Sequence, residues 1–114
     1  MIMSRGEVWL VSLDPTVGDE IRKTRPAVIV SRDALGILAL RVIVPLTAWQ
    51  DHFAGADWMV RLEPDATNGL EKPSAADTFQ VRSVATKRLV RQLGQLSSAD
   101  LQRVVAGLKA VLEF

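Results

Sequence analysis

The sequence predicts a small, mainly β protein with one C-terminal helix, in which five to seven short antiparallel strands form a strongly curved sheet or partly open barrel. Short apolar, β-branched runs alternate with turn residues along most of the chain, and a helical spacing of apolar residues is sustained only near its end. The length of 114 residues is that of one domain, so we expect a single domain spanning 1–114.

The strand predictions follow the apolar runs. We predict strands at 5–13, 27–30, 37–46, 58–62 and 89–96, a moderately extended segment at 74–81 and one helical turn at 83–87. Proline has no N–H to donate to a sheet. We therefore expect Pro26 at the first position of its strand and Pro45 at an edge or a bulge.

The C-terminal helix has both a start signal and a periodic face. Ser97 is followed three residues later by Asp100, which resembles a capping box. Apolar residues then recur at helical spacing, at Leu101, Val104, Val105, Leu108, Val111 and Leu112. We predict that this stripe packs on the sheet.

Composition narrows the class of protein. The chain has no cysteine and one histidine, which excludes disulfides and thiolate chemistry and argues against a histidine metal site. We find no signal peptide or membrane-spanning segment and expect a cytoplasmic protein without metal or cofactor. The net charge is only +1, but basic residues dominate from Arg82 onward and could join a basic cluster at Arg22, Lys23 and Arg25.

The segment 18–31 carries the first candidate site. A charged loop, expected to be mobile and solvated, leads into Arg25, which Pro26 holds in extended geometry at the rim of a buried strand. A permanent cation in that place is suited to bind an anion. The alternative is a rim salt bridge from Arg25 to Asp19 or Glu20.

Thr47 directly follows the predicted strand that contains Pro45, so it could share a rim with Arg25. Taken alone, Thr47 could equally be a strand-end threonine that satisfies a backbone group. The following loop, 48–56, carries Trp49 and Phe53, which could stack on unpaired bases or be buried. His52 is interpreted as a loop residue, and Trp9 and Trp58 as core or dimer-interface residues.

Five segments together resemble the MazF/PemK toxins, which are endoribonucleases of toxin–antitoxin modules. The segments are RGEVW at 5–9, DPTVGDE at 14–20, TRPAVIVS at 24–31, VIVPLT at 42–47 and FQVRSV at 79–84. Their order and spacing resemble those of the family over nearly the whole chain. Ile21 and Phe79 depart from the family pattern, which often has glutamine at the first position and an acidic or polar residue at the second.

The resemblance implies an SH3-like plasmid-toxin barrel of the CcdB/MazF type, a homodimer, and metal-independent cleavage of single-stranded RNA, such as messenger RNA, at short sequences. It also implies a MazE-like protein antitoxin as partner, with DNA contacted only through that antitoxin. The family's catalytic residues fall on Arg25, Thr47 and Glu20. Further RNA contacts are expected at Asp19, Arg22, Lys23, Trp49, Gln80, Arg82 and Ser83. For Gln80, Arg82 and Ser83, a structural hydrogen bond is the alternative.

Metal-free RNA cleavage needs a proton acceptor for the attacking 2′-hydroxyl, a proton donor for the leaving oxygen and a cation on the phosphorane. Arg25 suits the cation, because guanidinium matches phosphate in a bidentate way. Thr47 can donate to a non-bridging oxygen, and Glu20 can accept the 2′-hydroxyl proton.

Two competing functions remain open from the sequence. One is a non-catalytic toxin that resembles the CcdB group and binds DNA gyrase. The other is an inactive toxin-like dimer that serves as an antitoxin-binding repressor subunit.

Overall fold

The protein folds as a curved antiparallel sheet with one α-helix, in a computed structural model that describes residues 2–114. The prediction of a mainly β fold with a C-terminal helix is confirmed. The strands are β1 (Glu7–Ser12), β2 (Thr24–Ile29), β3 (Leu40–Ala48), β4 (Met59–Leu62), β5 (Ser74–Asp77), β6 (Arg82–Ala85) and β7 (Leu89–Gln95), and the helix is α1 (Ser98–Leu112). Short 3-10 helices lie at Asp33–Leu35, Asp51–Gly55, Thr78–Gln80 and Thr86–Arg88.

The strands lie in the order β4-β5-β3-β2-β1-β7, and β6 also pairs with β3. Every pairing in the described chain is antiparallel. Strands β4 and β7, at the two ends of this order, do not pair with each other, so the barrel is not closed. In the described part of the chain, no helix is long and apolar enough to span a membrane.

Strand β3 changes its neighbour half-way along its length. It pairs with β2 through residues 43–45 on one side. On the other side it pairs with β6 through 40–43 and then with β5 through 46–48, which leaves Val44 and Pro45 between the two pairings. Because Pro45 has no N–H, the gap leaves no backbone donor unpaired at this position. The sequence predicted a sheet edge or a bulge at Pro45. The structure has a break there between β6 and β5, the two strands that pair in turn with one side of β3.

The two faces of the sheet bury separate apolar cores, because successive side chains of a strand point to opposite faces. Val8 lies in one core, with Val28, Val44, Leu46 and the helix. Trp9 lies in the other and is only 1% exposed, which confirms it as a core residue. The members of this second core are Trp9, Val11, Leu13, Ala27, Ile29, Ile43, Val84 and Leu89.

The helix begins where the sequence predicts. Ser97 is the N-cap, and its Oγ accepts the Asp100 N–H at 3.1 Å. The stripe packs on the sheet mainly through Val104 and Leu108, which are buried. Leu112 is 56% exposed, so the packed stripe ends before the helix does.

Three local predictions are wrong. Trp58 lies in the turn before β4 and is 40% exposed, so it is neither in a strand nor in the core, while the alternative of a dimer-interface position stays a prediction. The helical turn predicted at 83–87 is mostly strand β6, and the 3-10 turn comes later, at Thr86–Arg88. Pro26 is the third residue of β2 and not the first. In each case the strand begins or ends where its pairing with a distant strand does. The sequence around that position does not contain this information.

Candidate functional site

A groove of about 510 Å³ lies beside Pro45, at the break between β5 and β6. The loop between β1 and β2 lines part of it, and the 3-10 turn between β5 and β6 lines another part. The lining residues are Asp19, Glu20, Ile21, Pro45, Phe79, Gln80, Val81 and Arg82. The fold thus brings four predicted site residues, Asp19, Glu20, Gln80 and Arg82, to one groove.

Gln80 ties the two sides of the groove together. Its Oε1 accepts the Ile21 N–H at 2.5 Å, and its Nε2 donates to the Asp19 carbonyl at 3.1 Å. The same Nε2 donates to Asp77 Oδ2 at 3.2 Å. The structural role considered for Gln80 is therefore present, and it fixes the middle of the β1–β2 loop.

Two arginines from the C-terminal half hold the base of the same loop. Arg82 Nη1 donates to the Leu13 carbonyl at 3.2 Å. Arg88 Nη1 donates to the carbonyls of Ser12 at 3.0 Å and Asp14 at 2.6 Å. The loop expected to be mobile and solvated is exposed to solvent, but it is anchored at its base and in its middle.

The strand register brings Arg25 and Thr47 to one rim. In the last pair of the β2–β3 ladder, Ala27 lies opposite Pro45. The ladder ends at this pair; if the same antiparallel register continued for two more residues, Arg25 would lie opposite Thr47, on the face that carries Ala27 and Pro45. Neither Arg25 nor Thr47 lines the groove itself, and Pro45, two residues before Thr47 on the same face of β3, is the β3 residue that does.

Arg25 is exposed and Thr47 is half-buried. Within residues 2–114, the ion pairs are Arg61 with Glu63 and Arg103 with Asp100. The alternative salt bridge from Arg25 to Asp19 or Glu20 is thus not formed. The Arg25 guanidinium and the Thr47 hydroxyl also make no hydrogen bond to any described residue, which leaves both groups available to a ligand.

The loop that precedes Arg25 has a constrained backbone. Lys23 has a φ of 70°, in the left-handed region that side chains other than glycine rarely occupy, and its carbonyl accepts the Leu13 N–H at 2.9 Å. Such strain is typical of functional sites. Glu20 closes the tip of the loop, because its Oε1 accepts the Val17 N–H at 2.6 Å.

Asp77 lies behind the groove and is 7% exposed. Burial raises the pKa of its carboxyl group, while hydrogen bonds from the Phe79 N–H and from Gln80 act in the opposite direction. Its two oxygens accept from Phe79 N and Gln80 Nε2, both at 3.2 Å. Asp77 therefore supports the wall of the groove, and sequence analysis missed it because nothing local marks an aspartate as buried.

Comparison with known proteins decides the family. The chain matches the family model of the PemK-like, MazF-like toxin of type II toxin-antitoxin system over residues 4–112. The chain belongs to the PemK/MazF toxin family. Endoribonuclease MazF9 of Mycobacterium tuberculosis is 37% identical to it over 118 residues, with 98% of each chain covered.

Solved structures share the fold of this PemK/MazF family member. MazF (Form-I) from Deinococcus radiodurans has a TM-score of 0.82 and 23% identity, and the match covers 100% of this chain and 99% of that one. The MazE-MazF (Form-II) structure from the same organism has a TM-score of 0.77 and 23% identity, with 100% and 98% covered. The fold that the resemblance implied is confirmed.

The aromatic residues after β3 form a cluster of their own. Trp49 packs edge-on against Phe53 with ring centroids 5.7 Å apart, and the Arg61 guanidinium lies 5.1 Å from the Trp49 ring. Trp49 and Phe53 are half-buried, on and beside a 3-10 helix, so they are neither fully buried nor free of the protein surface, and stacking on unpaired bases stays a prediction. His52 is exposed and packs on Phe53 at 4.6 Å.

The structure does not bring every predicted contact residue of this PemK/MazF family member to the groove. Ser83 lines a separate cavity of about 110 Å³ near Arg41. Arg22 and Lys23 are exposed on the β1–β2 loop. The described residues contain no group of three or more His, Cys, Asp or Glu side chains that could hold one metal ion.

Proposed function

We propose that this chain is a sequence-specific, metal-independent endoribonuclease toxin that cleaves single-stranded RNA. Its membership of the PemK/MazF family and its 37% identity to a relative named an endoribonuclease support this activity. The observation that supports the proposal is the β2–β3 register: its last pair, Ala27 with Pro45, would set Arg25 opposite Thr47 if continued by two residues, and Pro45 and Glu20 line the same groove.

In the proposed reaction, the 2′-hydroxyl attacks the adjacent phosphorus. A bond forms between the 2′-oxygen and phosphorus, and the bond from phosphorus to the 5′-oxygen breaks. The leaving 5′-oxygen takes a proton from solvent water, and the proton that Glu20 accepts from the 2′-hydroxyl returns to solvent. The products are a 2′,3′-cyclic phosphate and a 5′-hydroxyl end. Glu20 accepts the 2′-hydroxyl proton, for which one carboxylate oxygen is free of the Val17 bond.

Arg25 and Thr47 stabilise the charge that develops on the phosphorane. Arginine keeps its proton, so Arg25 acts as a fixed cation and donates to the non-bridging oxygens, while Thr47 adds a hydroxyl donor. Neither group has a protein partner to give up among the described residues. Arg25 and Thr47 can therefore bind the phosphate without breaking an existing contact.

The RNA strand would be held by the β1–β2 loop. Arg22 and Lys23 are exposed there and supply phosphate contacts, and Asp19 offers a carboxylate to base donors. Gln80 and Arg82 act on RNA through this loop, whose shape they hold. Trp49 and Ser83 would contact the RNA outside the groove. Trp49 directly follows β3, two residues after Thr47, and Ser83 lies in β6.

We also propose that a cognate MazE-like antitoxin inhibits the toxin, that two copies form a homodimer, and that DNA is contacted only through the antitoxin. The name of the MazE-MazF structure, whose toxin shares the fold, supports the antitoxin partner. The absence of cysteine from the sequence is in keeping with action in the cytoplasm.

The test is cleavage of a long single-stranded RNA in EDTA by the wild type, Arg25→Ala and Arg103→Ala, with mapping of the ends. We expect cuts at one recurring short sequence with 5′-hydroxyl ends. Arg25→Ala should lose about two powers of ten or more in rate. Arg103 is an exposed arginine on the helix, paired with Asp100, so Arg103→Ala controls for loss of one positive charge.

Cleavage by Arg25→Ala at the wild-type rate would reject the assignment of Arg25. A folded wild type that leaves RNA intact, free of antitoxin, would reject the enzyme. Saturation with antitoxin should abolish cleavage, and undiminished cutting in the saturated complex would reject inhibition by the antitoxin.

A further inference from the structure

An aromatic ring at the mouth of the groove has no role in the function proposed above. Phe79 lines the groove, yet its side chain is 68% exposed. Trp58, which is 40% exposed, packs on it with ring centroids 6.4 Å apart at an interplanar angle of 64°. Two large apolar rings thus remain in solvent beside a cavity, which is where ligand contacts are made.

The backbone beneath these rings is fixed. The Trp58 carbonyl accepts two hydrogen bonds from Thr78, one from its N–H at 3.2 Å and one from its Oγ1 at 2.7 Å. The Phe79 N–H donates to Asp77 Oδ1 at 3.2 Å. The exposed Phe79 ring is therefore carried on an ordered turn, so binding a flat ligand costs little backbone entropy.

Charge decides what kind of ligand fits. Asp19 and Glu20 line the same groove together with one cation, Arg82, which donates to the Leu13 carbonyl. The two carboxylates outnumber this one arginine, so the groove disfavours a phosphate or an acidic peptide at this end. A nucleobase is uncharged, has a flat face and stacks on aromatic side chains. The cations Arg22, Lys23 and Arg25 lie along the β1–β2 loop and β2, where the strand's phosphates can be held.

We propose that Phe79, backed by Trp58, is a stacking platform for one unpaired base of the RNA substrate. The platform rests on the proposed function for its ligand and adds to it a residue that helps to set base preference. It places one base on the Phe79 ring while the adjoining backbone runs past Pro45 toward Arg25 and Thr47.

The test measures RNA binding separately from cleavage. A random pool of ten-nucleotide, fully 2′-O-methylated RNA cannot be cut by 2′-hydroxyl attack. Its binding to the wild type, Phe79→Ala, Phe79→Leu, Phe79→Trp and Phe114→Ala is measured by fluorescence anisotropy, and the retained oligonucleotides are sequenced. Phe114 has the same exposure of 68% and lies outside the groove, so it controls for loss of an exposed phenyl ring.

We expect Phe79→Ala and Phe79→Leu to bind about tenfold or more weakly and to lose the preference at one base position. Phe79→Trp should stay within about threefold of the wild type, and Phe114→Ala should match it. The leucine variant keeps an apolar contact to Trp58, so it tests the aromatic face even if the alanine variant folds poorly.

The platform would be overturned if Phe79→Ala and Phe79→Leu both bound RNA with wild-type affinity. It would also be overturned if these variants lost binding to the antitoxin but kept binding to RNA. Absence of RNA binding by the wild type would overturn it as well. Failure of the proposed function gives a different result, namely no cleavage of natural RNA. Binding of the methylated pool that depends on Phe79 would uphold the platform even then.

Discussion

Gln80 and Ile21 lie 59 positions apart in the chain, and a hydrogen bond of 2.5 Å joins the Gln80 side chain to the Ile21 backbone. This contact, with the one from Gln80 to the Asp19 carbonyl, holds the middle of the β1–β2 loop against the turn between β5 and β6. Glu20 lies between the two anchored residues. The placement of the proposed proton acceptor therefore depends on an amide side chain from a distant segment.

Gln80→Ala should loosen this loop more than it weakens the fold. Loss of the bond leaves the Ile21 N–H without its partner, so its hydrogen exchange should accelerate markedly. We expect about a tenfold loss of RNA cleavage, because small misplacement of a catalytic group is costly. The free energy of unfolding should fall by only about 1 kcal/mol.

The matched control is Gln92→Ala, since the Gln92 amide is exposed and donates only to Gly94 in its own strand. Unchanged exchange at Ile21 in Gln80→Ala would show that the loop is held by other contacts.

Thr47→Val should separate activity from stability. Valine keeps the shape of threonine and removes the hydroxyl, which has no partner among the described residues. We expect a fall of about 100-fold in cleavage rate with little change in melting temperature. Thr86→Val, in a 3-10 turn outside the groove, is the control. A Thr47→Val enzyme of full activity would remove Thr47 from the proposed mechanism.

Asp77 should make stability depend on pH in a defined direction. Because burial raises its pKa above the ordinary value of 3.8, the folded protein holds this proton more tightly than the unfolded chain. Its contribution to stability is therefore complete below pH 3.8 and is lost as pH rises through the folded pKa.

Asp77→Asn isolates this effect. We compare the free energy of unfolding of the variant with that of the wild type. The difference, variant minus wild type, should become more positive as pH rises from 3.8 through the folded pKa of Asp77, and should then level off. The other carboxyl groups are common to both proteins and cancel, and urea unfolding at a series of pH values gives the difference. A difference that is flat with pH would show that Asp77 titrates alike in both states.

Gly107→Ala should destabilise the protein, although alanine normally favours a helix over glycine by about 1 kcal/mol. A Cβ at Gly107 would lie 2.9 Å from Thr78 Cγ2 and 3.0 Å from Val60 Cγ2, and both neighbours are buried. We expect a loss of about 1–3 kcal/mol in urea unfolding. Gly55→Ala, with no atom within 4 Å of the added Cβ, should be close to neutral. A more stable Gly107→Ala would mean that the helix can shift away from the Thr78 turn.

Several features of this protein follow from local sequence. Ser97 caps the helix through a bond to a residue three positions away, and the apolar spacing of α1 needs only its own residues. Trp9 could be placed in the core because it lies in the middle of a run rich in β-forming residues. The order of short motifs around Arg25 and Thr47 was sufficient to predict the PemK/MazF family, which the family match confirms.

Other features were decided by tertiary structure alone. The break at Pro45 arises because two distant strands share one side of β3, and the Gln80 bond exists only once the sheet has curved. Trp58 was predicted as a core or dimer-interface residue, yet the fold leaves it 40% exposed against Phe79, whose ring lies at the groove. Local propensity and periodicity act over a few residues, whereas burial and hydrogen-bond partners depend on which distant segments meet.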